Sequence, residues 1–368
     1  MGVQVQEKLL WLMVSGRSEM DVELGEDVLT EILARLPYRS LARFQCVSTS
    51  WRRIISSDYL RRRLTLITSG VLYHGGGGGG DGARRPYTYA CAPDGGRGGV
   101  AETGDMGFFP CHDASTIIDG CNGLLLYYAS RPAAFHVVNP TTRRWAALPA
   151  PRARTLLSVL AFDPCASPHY KVVCFTGWLP RGATIEVFDS ERGAWRGHEV
   201  DFGLDTDAMT ATMHYSGGAL HVLAYSGHVV RVDLDTMACA VTALPAPVSC
   251  RARAGHCRGR LRFASSDGAR LRIWELEDAG AGEWALKHEI GVGDVVPGGS
   301  SQAITFLFMA FHPEREVVYL WSLWKLLAFD MVERRVEEEW AFGSEKEGAH
   351  LIQIWLFPFS RHLANALA

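Results

Sequence analysis

The chain has 368 residues, of which 48% are apolar, 21% charged and 10% aromatic. That balance belongs to a folded globular protein and excludes a disordered one. Its net charge of −3, from 37 basic and 40 acidic residues, lacks the basic field that bulk nucleic-acid binding requires, so no nucleic-acid partner is expected. No apolar run reaches the ~18 residues of a membrane-spanning helix; no membrane association is expected either.

The opening MGVQVQEKLLWLMV has six consecutive apolar residues and no small-residue cleavage site. A secretory leader is therefore not expected, and residues 1–20 read as a flexible tail. The nine cysteines are irregularly spaced, without a CxxC; the tightest pair is Cys250 and Cys257, with His256 beside the second. Zinc ligands usually come in closer pairs. Buried, reduced thiols in a cytoplasmic or nuclear protein fit better, with no metal and no cofactor.

Residues 21–64 predict short helices. In Glu26–Leu36, the apolar residues Val28, Leu29, Ile32, Leu33 and Leu36 fall on one helical face. Glu26 and Asp27 suit the positive end of the helix dipole, and Pro37 stops the helix. Ser40 can cap a second helix through Leu41, Phe44 and Val47; Ser48 can cap a third with Trp51, Ile54 and Ile55 inward; Asp58 opens a last turn. About 40 residues build little core of their own, so these apolar faces call for a partner. Arg52, Arg53 and Arg61 to Arg63 read as a solvated face, or one that meets an acidic partner.

Residues 74–107 carry six consecutive glycines, Gly75 to Gly80, and a second cluster around Arg97. This composition predicts a disordered loop. No GxxxxGK[ST] accompanies it, so a phosphate-binding loop is not indicated.

From Cys111 onward, short β-branched and aromatic runs alternate with turn residues. They include Leu124–Tyr128, Phe135–Val138, Lys171–Thr176, Thr184–Phe188, Leu220–Tyr225, Val229–Leu234, Leu271–Leu276, Val317–Trp321 and Leu351–Phe357. A repeat is visible: a strand ends in an Asp or Asn turn, and the next strand carries Trp145, Trp195, Leu244, Trp284 or Trp340. The mean step is about 49 residues, near the kelch period, so residues 65–368 hold about six units. A β-propeller closes such an array, with the repeated Trp packed between blades.

The head resembles an F-box. The residues that carry the resemblance are LGEDVLTEILARLPYRSLARFQCVSTSW, Leu24 to Trp51, with Gly25 where the family usually has Pro and Thr49 where it has Lys. The remainder resembles the plant F-box-associated, kelch-like propellers through CNGLLL (Cys121–Leu126), VVNPTTRRW (Val137–Trp145), FDP with YKVV (Phe162–Val173) and IEVFDSERGAW (Ile185–Trp195). The C-terminal third follows only the repeat pattern. The resemblance implies a small all-α F-box followed by an all-β propeller of about six kelch-like blades.

It also implies a non-catalytic subunit of a Skp–cullin–F-box ubiquitin ligase. The F-box would dock on the Skp-type adaptor, and through it on cullin and the ring-finger subunit. The propeller would hold an unknown protein target. Candidate adaptor-binding residues are Leu24, Val28, Leu29, Ile32, Leu33, Leu36, Pro37, Leu41, Cys46, Val47 and Trp51, several of which would be core within the head. Recognition of the target would use rim loops. Trp178 and Arg181, in GWLPRGA, and Trp324 with Lys325 offer aromatic and cationic anchors, of which Trp178 and Arg181 are the chosen pair. Two rival readings are an F-box scaffold outside the ligase and an enzyme built on a propeller. HExxH, GxSxG and an EF-hand loop are all absent. His221 and His228 read as satisfied strand side chains on one hairpin.

Overall fold

The computed structural model describes residues 26–34, 44, 48–57, 70–73, 88–91, 102–104, 106–295, 306–341 and 354–355, except 113, 141, 165, 268, 269, 323 and 324. The chain divides into two units, Met1–Leu60 and Arg61–Ala368.

In the first unit, helix α1 spans Glu26–Ala34 with Glu26 and Asp27 in its first turn. Leu29 and Leu33, one helical turn apart, are buried. Helix α2 spans Thr49–Ile55. Its N-cap is the expected Ser48, whose Oγ accepts from the Trp51 N–H at 3.1 Å. Ile54 and Ile55 point into the core as expected. An exposed ion pair, Arg53 to Glu26 at 2.7 Å, joins the two helices, and the Phe44 and Trp51 rings meet edge-on at 5.0 Å. Phe44 is the one described residue of the expected second helix, and it is helical. The expected last turn at Asp58 lies outside the described residues.

The second unit is built from four-stranded antiparallel sheets. Strands β1 (Gly70–Tyr73), β2 (Thr88–Cys91) and β3 (Glu102–Gly104) come first. Blade one is β4 (Ser115–Cys121), β5 (Leu124–Ser130), β6 (Ala133–Asn139) and β7 (Arg144–Ala147). Blade two is β8 (Leu157–Phe162), β9 (Tyr170–Leu179), β10 (Gly182–Asp189) and β11 (Ala194–Asp201). Blade three is β12 (Met209–Ser216), β13 (Ala219–Ala224), β14 (His228–Asp233) and β15 (Cys239–Ala243). Blade four is β16 (Arg253–Cys257), β17 (Arg260–Ser266), β18 (Arg270–Asp278) and β19 (Glu283–Gly291). Blade five is β20 (Leu307–Phe311), β21 (Val317–Ser322), β22 (Lys325–Asp330) and β23 (Arg335–Ala341). Strand β24 (Ile354–Trp355) pairs antiparallel with β1, so that a further four-stranded sheet, β24-β1-β2-β3, draws on both ends of the unit.

The expectation of one loop over 74–107 is corrected by β2 and β3, which fall inside it. The run Thr88-Tyr89-Ala90-Cys91 is β-favouring, and its backbone pairs with β1 on one side and β3 on the other. Both glycine clusters, at 75–80 and 95–99, lie outside the described residues.

Within each blade, burial follows position. All six residues of β13 are buried, whereas none of β7 or β15 is. A strand covered on both faces by neighbouring sheets reads as a continuous apolar run; an outer strand does not. The larger apolar cores lie between blades. Val173, Phe175 and Ile185 of blade two pack with Val222 and Val230 of blade three. Leu271 and Ile273 of blade four pack with Val318 and Phe329 of blade five.

The repeat read from the sequence has a physical basis at two points. The third strand of every blade ends in a side-chain carbonyl or carboxylate that accepts backbone N–H groups of the following turn. Asn139 Oδ1 accepts from Thr142, Asp189 Oδ1 from Glu191, Asp233 Oδ1 from Thr236, Asp278 Oδ1 from Gly280 and Asp330 Oδ1 from Val332. In blades one, two and four the Trp after that turn meets the preceding sheet or its connector, whereas the expected packing between blades is not seen for Trp340 among the described residues. Trp195 Nε1 donates to Pro149 O at 2.7 Å and Trp284 Nε1 to Ala243 O at 2.8 Å. The Trp145 ring packs edge-on against Phe109, 5.6 Å away, in the segment between β3 and β4. Trp340 is buried against Tyr319 within blade five. Asn122-Gly123 of the CNGLLL motif turns β4 into β5 with both φ values positive, the hairpin geometry that Asn-Gly favours.

Candidate functional site

In the helical head, five candidate docking residues are described. Leu29 and Leu33 belong to the head's own core. Val28 is 50% exposed, and Ile32 and Trp51 are half-buried. Exposed surface therefore remains at Val28, with partial exposure at Ile32 and Trp51. Leu24, Leu36, Pro37, Leu41, Cys46 and Val47 lie outside the described residues.

In the propeller, Trp178 is the penultimate residue of β9, which corrects its expected place in the hairpin loop. It pairs with Ala183 of β10, and a register shift at Thr184/Ile185 carries the ladder out past it. Its ring stacks on Phe175 at 5.4 Å and remains 41% exposed. Arg181 does sit in the β9–β10 turn, where its Nη2 donates to Gly203 O at 2.9 Å. Thr206 Oγ1 fastens the same turn by donating to Leu179 O at 2.6 Å. Antiparallel order puts this turn, the β13–β14 turn and the connectors between blades at one end of the ring. The exposed residues Leu156, Trp178, Leu179 and Tyr225 all lie at that end. Trp324 lies outside the described residues; Lys325 pairs with Glu339 at 2.6 Å.

His221 and His228 do lie on one hairpin, but the register does not bring them together. His221 faces Arg231 and His228 faces Ala224.

The innermost strands of the five blades line a half-open cavity of about 540 Å³. Its polar lining was not anticipated. Asp119 of β4 is half-buried and accepts from the Leu160 N–H at 2.6 Å. Burial pushes its carboxyl up to about 7, against the lowering effect of that hydrogen bond. His214 of β12 and His256 of β16 face each other with Nε2 and Nδ1 2.7 Å apart. One proton is shared across that gap, and burial together with the neighbouring ring holds His214 well below its usual range. The Cys121 thiol donates to Phe162 O, and burial pushes its pKa far up, the opposite of a nucleophile's tuning. Arg251 and Arg253 line the cavity where the β15–β16 connector enters it. No group of three or more His, Cys, Asp or Glu side chains suited to a metal ion occurs among the described residues. A signal for this site existed: His214 and His256 are 42 residues apart, close to one repeat, on equivalent inner strands.

Residues 23–63 match the family described as F-box domain, and residues 108–338 match the family described as F-box protein At3g26010-like, beta-propeller. Three similar proteins come from Arabidopsis thaliana. F-box protein At5g07610 is 31% identical over 46% of this chain and 44% of its own length. Putative F-box/kelch-repeat protein At1g15680 is 28% identical over 74% of this chain and 73% of its own. Putative F-box protein At3g23970 is 27% identical, over 82% of each.

Proposed function

Because the chain belongs to the F-box proteins with an At3g26010-like β-propeller, we propose that it is the substrate-recognition subunit of a Skp–cullin–F-box ubiquitin ligase. The observation that supports this reading is the presence, in one chain, of an F-box match over 23–63 and a propeller match over 108–338. The head docks on a Skp-type adaptor through its surplus apolar surface, Val28, Ile32 and Trp51 included, together with Leu36 and Pro37. Cullin and the ring-finger subunit join through that adaptor. The propeller presents a protein target for ubiquitination, in the cytoplasm or nucleus.

The sheet β24-β1-β2-β3 acts as the closing blade of a six-bladed, kelch-like ring, so that no sheet edge is left open at the seam. The end of the ring that carries Leu156, Trp178, Leu179, Arg181 and Tyr225 receives the target. Aromatic and Arg side chains are the usual anchors of such contacts. The subunit itself is non-catalytic: the cavity-lining thiol, Cys121, is held protonated, and the two cavity-lining imidazoles are bonded to each other.

Reconstitution tests the reading. The full chain, mixed with a plant Skp adaptor, cullin and ring-finger protein, is expected to elute as one four-component complex. Elution with the adaptor but never with cullin would favour a scaffold outside the ligase.

A further inference from the structure

We propose that the cavity lined by the innermost strands is a binding site for a small organic carboxylate with an apolar body, and that Arg253 takes the carboxylate. The cavity, at about 540 Å³, falls within the range of sites that enclose a small-molecule ligand, roughly 300–1,000 Å³. Its walls combine polar groups with apolar side chains, Val159, Leu160, Met213, Leu307, Phe308 and Met309 among them.

The charge on those walls is unbalanced. Two guanidinium groups, Arg251 and Arg253, line the cavity, and Asp119 is the one carboxyl among the described lining residues. Asp119 is not their counter-ion. It already holds the Leu160 N–H, and no carboxylate lies within ion-pair distance of Arg253 among the described residues. Arg253 is half-buried, and burial lowers its pKa, as expected of a cation without an acidic partner among the described residues.

Its guanidinium is also held in place. Nη1 donates to Cys250 O at 2.9 Å and to Ala252 O at 2.8 Å. Nε and Nη2 make no hydrogen bond to a described residue. Two parallel donors on a fixed plane match the two oxygens of a carboxylate. A phosphate would bring more charge and more acceptors than this fork supplies. His214 and His256, hydrogen-bonded to each other and held towards the neutral form by burial, add no cation to the lining. The inference stands on the cavity alone and does not depend on the ligase reading.

The test is calorimetric titration of the full chain with 2-naphthoate, and with 2-naphthalenemethanol as the neutral molecule of the same body. The acid is expected to bind saturably at one site, about tenfold or more tighter than the alcohol. Arg253→Met should remove that preference. Met309→Trp, which fills the cavity, should abolish binding of both, and thermal unfolding identifies any variant that fails to fold. Arg253→Lys serves as the second variant: it keeps the charge, loses the fork, and should retain only part of the preference. Absence of saturable naphthoate binding to the wild-type chain would overturn the proposal, and so would equal affinity for acid and alcohol.

Discussion

Trp195 donates its indole N–H to the carbonyl of Pro149 at 2.7 Å, across the boundary between blades one and two. The ring also packs against Phe135 and Phe188, one from each blade. One side chain thus supplies both apolar contact and a directed bond at the same seam. Trp195→Phe keeps the ring and leaves the Pro149 carbonyl without its donor, at a cost of about 1–2 kcal/mol. Trp195→Ala also opens a cavity, for about 3–5 kcal/mol. Chemical denaturation of the full chain should rank the two in that order; equal effects would mean that the bond contributes nothing.

Gly182 opens β10 at a point where a Cβ would lie 1.9 Å from the Val200 carbonyl oxygen. Both partners are backbone, so relief requires β10 and β11 to separate. Gly182→Ala should cost more than ~3 kcal/mol. Gly197, on exposed β11, has nothing within 4 Å of its Cβ position, and Gly197→Ala should be neutral or stabilise by about 0.5 kcal/mol. Melting temperatures of the two variants check the contrast.

A buried ion cluster joins blades four and five. Arg262, 3% exposed, contacts Glu275 and Glu316, each at 2.8 Å. The hydrogen bonds from Arg262 hold the Glu316 carboxyl down at about 2. A folded-state pKa below the unfolded one stabilises the fold above the unfolded value. That contribution is lost as pH falls from about 4.5 towards about 2. Glu316→Gln should therefore cost on the order of 2 kcal/mol near neutral pH and progressively less below pH ~4. Denaturation curves of wild type and variant that keep a constant gap over that range would contradict this account.

Local chemistry made much of the fold legible. The Ser48 cap, the inward pair Ile54 and Ile55, the Asp and Asn turns and the strand runs all act over a few residues, and the structure has them where the sequence placed them, save Leu351–Phe357, of which only Ile354–Trp355 is described. What escaped reading depends on contacts distant in sequence. Strands β2 and β3 inside the glycine-rich region are held by pairing with β1. Asp119, His214, Arg253 and His256 converge because the ring brings inner strands together, and no window of sequence contains that closure.

Target recognition at the Trp178 end of the ring predicts a selective loss. The double variant Trp178→Ala, Arg181→Ala removes an exposed ring and a guanidinium that, among the described residues, holds the Gly203 carbonyl. Proximity labelling with this variant should lose a subset of the proteins labelled by wild type while the adaptor remains. An unchanged set would retire this end of the ring as the receptor surface.

Equilibrium binding of the full chain to a purified Skp adaptor tests the central claim most directly. The wild-type chain should bind with 1:1 stoichiometry. Leu36→Asp, which sets a carboxylate against an apolar interface, should weaken binding by at least ~100-fold, with the unfolding transition of the propeller unchanged. Failure of the wild-type chain to bind the adaptor, or full retention of binding by Leu36→Asp, would contradict the account.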